Sequence, residues 1–263
     1  MEQGGVQPET AGDGARWSAA SEMNGTVATV PERAPAVAMP DYLVRHYGWA
    51  YLNRFAVWFF DHQPIINAIL FGQYRKIMNA TLRLIQPEKA GRTIQLAAVY
   101  GKLTPILASH IGDLDLVDVA PIQLEAARRK LAADGREIRM RRMNVESLDY
   151  PRGSFDTAVM FLLLHELPTQ ARRNSLTEAL RVLKPGGRLV IAEYGEKRRH
   201  PFHWFPPARW VLERAEPFLG GFWRENLDRV MVECAEQAGC RVTRDEGVSI
   251  FGGFYRVVRY VRD

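Results

Sequence analysis

Cysteine is almost absent from this chain: 263 residues contain two, Cys234 and Cys240, close together in a helix-like stretch. Two cysteines cannot build a disulfide framework, and these lack the paired spacing of a zinc site. They read as structural thiols in a reducing compartment. Long apolar runs are also missing. None approaches the ~20 residues needed to cross a bilayer, and the longest, residues 158–164, has the character of a buried parallel strand. There is no basic start followed by an apolar stretch, so no secretory signal is expected. Residues 1–40 lack any lasting apolar period and hold a single aromatic, Trp17, which reads as a disordered tail. No Ser-His-Asp order, phosphate-binding loop or nucleophilic cysteine context is present.

What the chain does have is an aromatic segment, then an alternation of strand and helix. Residues 41–90 form an expected helical segment rich in Tyr, Trp and Phe between Tyr42 and Phe60, broken at Pro64, with a second helix over 65–84. This segment is expected to cover a ligand site, to lie on a membrane, or both; Arg45, Arg54, Arg75, Lys76 and Arg83 flank it. Residues 91–263 alternate as a doubly wound α/β domain requires, giving a mostly parallel, Rossmann-like sheet with helices on both faces. The predicted strands are 93–99, 114–118, 138–142, 155–163 and 188–193, with two closing strands near 240–249 and 254–261. The predicted helices are 104–110, 121–133, 170–183 and 227–238, and the turn Lys184-Pro-Gly-Gly187 separates the helix over 170–183 from the fifth strand.

The net charge of +5 is uneven. Residues 197–200 are basic and adjoin an aromatic, proline-rich stretch over 201–207, inside an insertion spanning 196–226. Trp and Phe beside Lys and Arg suit an anionic membrane interface better than nucleic acid.

In open α/β sheets a ligand sits beyond the carboxyl ends of the strands, near the topological switch point. The first strand therefore ends in a loop that a ligand approaches closely, and glycines usually permit that approach. Here Gln95, Ala97, Ala98, Val99 and Tyr100 precede the lone Gly101. Tyr100 places a phenol where small residues are normal, and Gln95 places an amide where an acid is common. Asp118 ends the second strand, 17 residues after Gly101, and matches the acid that accepts from ribose hydroxyls; Val119 follows it. Asn144 and Val145 come after the third strand, where a side-chain oxygen and a backbone amide can read an adenine ring. Leu162 lies near the end of the fourth strand. His165 and Glu166 follow, and His165 can serve as a base or ligand near neutral pH, or simply brace the loop. His200 and His203 with Glu193 and Glu196 offer nitrogen and oxygen donors for a divalent ion, or decorate a wet loop.

Taken in order, Asp118, Gly153-Ser-Phe-Asp156, Leu164-His-Glu-Leu-Pro168 and Arg181-Val-Leu-Lys-Pro-Gly-Gly187 resemble the class I S-adenosylmethionine (SAM) methyltransferases, nearest those acting on ubiquinone and menaquinone. More narrowly, residues 99–105, 118–123 and 42–60 resemble the rhodoquinone-biosynthesis proteins. That resemblance implies conversion of ubiquinone to rhodoquinone, an amino group replacing a ring methoxy group, with SAM as amino donor and Mn²⁺ as the metal. It also implies a protein of the cytoplasmic face, peripherally held at the inner membrane where the quinone resides. On this view Gln95, Ala97, Gly101, Asp118, Val119, Asn144, Val145 and Leu162 contact SAM, and Asp118, Tyr100 and His165 carry the chemistry. An amide at 95 and a phenol at 100 would leave the amine of SAM neutral and exposed. An ordinary quinone methyltransferase with a variant loop, and a non-catalytic SAM-fold subunit of a quinone-biosynthesis complex, are the alternatives.

Overall fold

A computed structural model describes Met1 and residues 37–196, 210, 212–214 and 216–263. The chain divides into residues 1–36 and 37–263, and the second unit carries the fold. The tail and most of the basic-aromatic stretch over 197–209 lie outside the described residues, as do His200 and His203.

Seven strands form one sheet: β1 (Thr93–Leu96), β2 (Leu114–Asp118), β3 (Arg139–Arg142), β4 (Phe155–Phe161), β5 (Leu183–Tyr194), β6 (Val242–Ile250) and β7 (Tyr255–Arg262). Their order is β3-β2-β1-β4-β5-β7-β6. β1 to β5 run parallel, while β7 pairs antiparallel with both β5 and β6. Chain order reverses between β1 and β4, so the switch crevice opens beyond Leu96 and Phe161. Both strands are buried on two faces; β4 reads as a nearly continuous apolar run, whereas β1 alternates Thr93 and Gln95 with Ile94 and Leu96.

The helices of the core are α5 (Leu103–His110), α6 (Pro121–Ala133), α7 (Thr169–Val182) and, after a short turn α8 (Leu219–Phe222), α9 (Leu227–Gln237). Pro121 opens α6, where its missing N–H costs nothing. Asn226 caps α9 by accepting from the Arg229 amide. The Lys184–Gly187 turn does not separate α7 from β5 as expected. Leu183 already pairs with Phe155, and pairing resumes at Thr157 and Arg188, so the turn bulges out of a strand that has begun.

Before the sheet stand α1 (Gly48–Tyr51), α2 (Arg54–Phe60), α3 (Gln63–Ile69) and α4 (Tyr74–Ile85). Pro64 begins α3 rather than only breaking what precedes it. The single helix expected over 65–84 is split at Phe71 and Gly72, both with positive φ. The Phe71 ring meets Phe254 edge-on at 5.5 Å, a tertiary contact that the helical period cannot announce.

Candidate functional site

Two cavities meet at the switch crevice. The larger, of about 290 Å³, is close to the lower bound of roughly 300–1,000 Å³ typical of small-molecule pockets. Trp49, Phe60, Ile66, Ile69 and Leu70 from the N-terminal helices form one wall, and Val99, Tyr100 and Phe161 the other. His165, Glu166 and Glu216 supply its polar groups. The smaller cavity, of about 70 Å³, is lined by Asp118, Val119, Asn144 and Val145, with Tyr42 and Leu43 against it. Tyr47, Tyr51, Ala97, Ala98, Leu163 and Glu166 line both.

Backbone geometry shapes the crevice. Ala97 and Leu162 follow the neighbouring strands β1 and β4, and both take positive φ (71° and 53°). Such conformations cost about 1–2 kcal/mol for a residue with a Cβ, and they gather where a loop must present its backbone to a ligand. Asp118 sets the position of the β1 loop. Its Oδ2 accepts from the Ala98 amide at 2.8 Å and its Oδ1 from the Ala120 amide at 2.7 Å. Burial pushes this carboxyl up to about 6, although the backbone donors of Ala120, Ala98 and Val119 oppose the rise.

Gln95 lies behind the loop and is not among the lining residues of either cavity. Its amide donates to the Ala97 carbonyl at 3.0 Å, while its Oε1 is buried without a partner. Gly101 is also absent from both linings. Its N–H donates to Asp61 Oδ1 at 2.7 Å, and a Cβ there would lie 2.5 Å from the Tyr74 hydroxyl. Packing against α4 thus demands this glycine. Tyr100 donates its hydroxyl to the Ala50 carbonyl at 2.9 Å and stacks on Tyr51 with ring centroids 5.3 Å apart. It fastens α1 over the loop. Asn144 accepts from the Glu146 amide at 3.0 Å, an Asx turn that presents the 144–145 backbone to the smaller cavity.

The loop after β4 carries the charged groups. Glu193, fully buried on β5, accepts from the amides of Leu164 (2.6 Å), His165 (3.3 Å) and Tyr194 (2.9 Å), and from His165 Nδ1 at 2.9 Å. Burial is the largest influence and opposes the charge on His165, but Glu193, helped by Glu216 and Glu166, outweighs it and the imidazole is pushed up to about 9. Glu193 is held below its usual range despite burial, because His165 faces it. Burial pushes Glu166 up to about 8 and raises Glu216, with the His165 charge moderating both. Tyr51 donates to Glu166, and Tyr47 donates to Glu216 at 3.1 Å. From beneath, the buried Arg172 holds the loop through the Leu164 and Leu167 carbonyls, each at 2.8 Å.

Glu193 therefore has its oxygens occupied by four donors. Among the described residues no group of three or more His, Cys, Asp or Glu side chains is placed to hold a metal ion. These residues do not fit the Mn²⁺ that the family resemblance implies. Sequence reasoning left Tyr47, Tyr51 and Glu216 out of the site; they come from distant segments, and no local motif marks them. Glu193 ends β5 at the carboxyl edge, a placement that could have singled it out as a partner for His165.

The reversal of strand order, the acid ending β2 and the turn after β3 define the methyltransferase class of doubly wound fold. Residues 94–187 match the family described as a methyltransferase domain. A demethylmenaquinone methyltransferase of Thermus thermophilus is 31% identical over 166 residues, 62% of this chain and 74% of that protein. A ubiquinone/menaquinone biosynthesis C-methyltransferase of Erwinia tasmaniensis is 29% identical over 136 residues, 50% of this chain and 53% of its own length. The chain belongs to the class I SAM-dependent methyltransferase family, as a homologue of the ubiquinone/menaquinone methyltransferases. A crystal structure of magnesium protoporphyrin IX methyltransferase from Synechocystis with bound SAM shares the fold, with a TM-score of 0.57 at 14% identity, covering 86% of this chain and 99% of that one.

Proposed function

We propose that this protein is a SAM-dependent enzyme that modifies the ring of a long-tailed quinone. The observation carrying this reading is the junction of two cavities at the switch crevice, one beside Asp118 and the turn at Asn144, the other apolar with charged groups on its wall. In this reading Asp118 accepts from the ribose hydroxyls, the 144–145 backbone reads the adenine, and the larger cavity takes the quinone head. SAM supplies an activated methyl group at a sulfonium centre, or an α-amino nitrogen.

Methyl transfer to a ring carbon is the reading supported by the names of the relatives. A second reading, amino transfer that turns ubiquinone into rhodoquinone, is favoured by one feature of the loop: Tyr100 puts a phenol on the wall of the larger cavity, where small residues are normal. A neutral amine is the nucleophile that amination requires. Two incubations with SAM labelled with ¹³C at the methyl and ¹⁵N at the amine separate the readings: ubiquinone tests amination, and a demethylated hydroquinone such as demethylmenaquinol, whose ring keeps the hydrogen that a methyl group replaces, tests methylation. Product carrying ¹³C establishes methylation, and product carrying ¹⁵N establishes amination. SAM binding without transfer of either label would leave a non-catalytic subunit.

The same reading places the enzyme on the cytoplasmic face of the inner membrane as a peripheral protein. Among the described residues no helix is long and apolar enough to cross a bilayer. Trp49, Phe55, Trp58, Phe59 and Ile69 of the N-terminal helices are nevertheless exposed, as are Arg45, Arg54, Arg75 and Lys76 of the same segment. Aromatics beside basic residues suit an anionic interface. Replacing Phe55 and Trp58 together by Glu is expected to weaken co-sedimentation with phosphatidylglycerol vesicles by at least about tenfold, since each buried aromatic contributes roughly 1.5–3 kcal/mol. SAM affinity, measured by calorimetry, should be unchanged. Undiminished vesicle binding would rule this face out.

A further inference from the structure

Glu166 differs from every other charged side chain of the site in where it stands. Six residues line both cavities, and among them Glu166 is the sole carboxyl-bearing one. The others are Ala97, Ala98 and Leu163, which have no polar side-chain atom, and Tyr47 and Tyr51, whose hydroxyls donate to Glu216 and Glu166. If the cofactor occupies one cavity and the quinone head the other, bond formation takes place where they join.

We propose that Glu166 is the proton acceptor of the transfer reaction. This inference rests on the quinone-modifying reading above and assigns a residue within it. The Tyr51 hydroxyl bonds one carboxyl oxygen, Oε1, and sets its orientation; the other has no hydrogen-bond partner among the described residues. The side chain is fixed from behind as well. The loop that carries it is tied to β5 through Glu193 and to α7 through Arg172.

In methyl transfer, Glu166 takes the proton that a hydroquinone hydroxyl gives up as the ring carbon bonds to the methyl carbon. The S–C bond breaks with its electron pair left on sulfur, and the ring hydrogen at the attacked carbon moves to the oxygen, restoring the hydroquinone. One proton is thereby released per methyl transferred. In amino transfer, the same carboxylate takes the N–H proton as the C–N bond to the ring forms and returns it to the departing methoxy oxygen, which leaves as methanol; the quinone ring then takes two electrons and the Cα proton from the attached amine, and water hydrolyses the resulting imine to an aminohydroquinone and the α-keto acid derived from SAM. A buried carboxyl whose affinity for protons is raised suits this task, because general bases work best when their pKa lies near the operating pH. His165, paired with Glu193, is a positioning residue in this scheme.

The decisive comparison is Glu166→Gln against Glu137→Gln, an exposed carboxyl that lines neither cavity, in the full chain, using the doubly labelled SAM assay. Glu166→Gln keeps the shape and an acceptor for Tyr51, and is expected to lose at least about a hundredfold in turnover, the usual range for a general base. S-adenosylhomocysteine affinity and melting temperature should stay near wild type, and Glu137→Gln should retain wild-type activity. Tyr51→Phe leaves the carboxyl in place but unoriented, and should fall in between. An independent readout needs no turnover: dicyclohexylcarbodiimide, which attacks protonated carboxyls in apolar surroundings, should modify Glu166 in the wild type at neutral pH. Both S-adenosylhomocysteine and a short-tailed ubiquinone should protect it, each from its own side of the junction. Turnover of Glu166→Gln within threefold of wild type overturns the proposal while leaving the function standing. Protection by one ligand but not the other overturns the junction. Wild-type protein that binds S-adenosylhomocysteine yet transfers neither label overturns the functional reading and this assignment with it.

Discussion

Glu193→Ala is expected to lower folding stability by about 3–5 kcal/mol, the usual cost of removing one partner from a buried charge pair. The substitution takes away the partner that keeps His165 charged, so the buried imidazole sheds its proton, and it leaves the amides of Leu164, His165 and Tyr194 without their acceptor. Urea unfolding monitored by Trp fluorescence would measure it, and a loss below about 1 kcal/mol would mean that the pair is not formed. The wild-type dependence on pH follows from the same contacts. His165 stands at about 9 in the folded chain against an ordinary 6.5, so its share of stability is complete below about pH 6.5 and disappears as pH rises through about 9. Glu193 is held below its ordinary 4.5, so its share is present above about that value and fades as pH falls further. The raised carboxyls of Glu166 and Glu216 cost stability from about pH 4.5 upward, where the unfolded chain ionises them and burial in the folded chain opposes it. Stability should therefore be highest near pH 5 and should decline from there toward pH 9. In Glu193→Ala the part of the alkaline decline due to His165 should vanish.

Gly101→Ala is expected to cost about 2–5 kcal/mol. Its φ of +85° adds about 1–2 kcal/mol for any residue with a Cβ. Overpacking adds about 1–3 kcal/mol, because the new methyl would stand 2.5 Å from the Tyr74 hydroxyl and 2.7 Å from Cζ of the ring. At roughly 2–4 °C per kcal/mol for a domain of this size, the melting temperature should fall by about 5–15 °C. Gly72→Ala is the matched control: φ is also positive, at +73°, but nothing lies within 4 Å of the added Cβ. It should show the conformational cost alone. Equal losses at the two positions would refute the packing argument. If the Gly101 effect is instead confined to cofactor affinity, with stability intact, the residue serves the ligand after all.

The parallel core was legible because its signals are local. Pro121 opening α6, the apolar run of β4 and the acid ending β2 are each read from a few adjacent residues, and the observed bounds of β2 and α6 coincide with those predicted. The N-terminal helices were only partly legible, since the break at Phe71 answers to Phe254, nearly two hundred residues away in the chain. The site divides in the same manner. Asp118, Val119, Asn144 and Val145 follow directly on strands whose order the alternation implies, and the structure gathers them around one cavity. Gln95, within β1, is bonded to the Ala97 carbonyl, and Gly101 packs against Tyr74; neither lines a cavity.

By itself the sequence determined the doubly wound topology, the cofactor-type edge of the sheet and the aromatic character of the segment before it. These rest on period, turn chemistry and the fixed hand of β-α-β connections, which act over short stretches of chain. Tertiary structure alone decided that Tyr51 meets Glu166, that Tyr47 meets Glu216, and that Glu193 neutralises His165. Each of these pairs closes a long loop, and its strength comes from the loss of water around both groups. Desolvation of that kind exists only once the helices before the sheet have packed over its carboxyl edge.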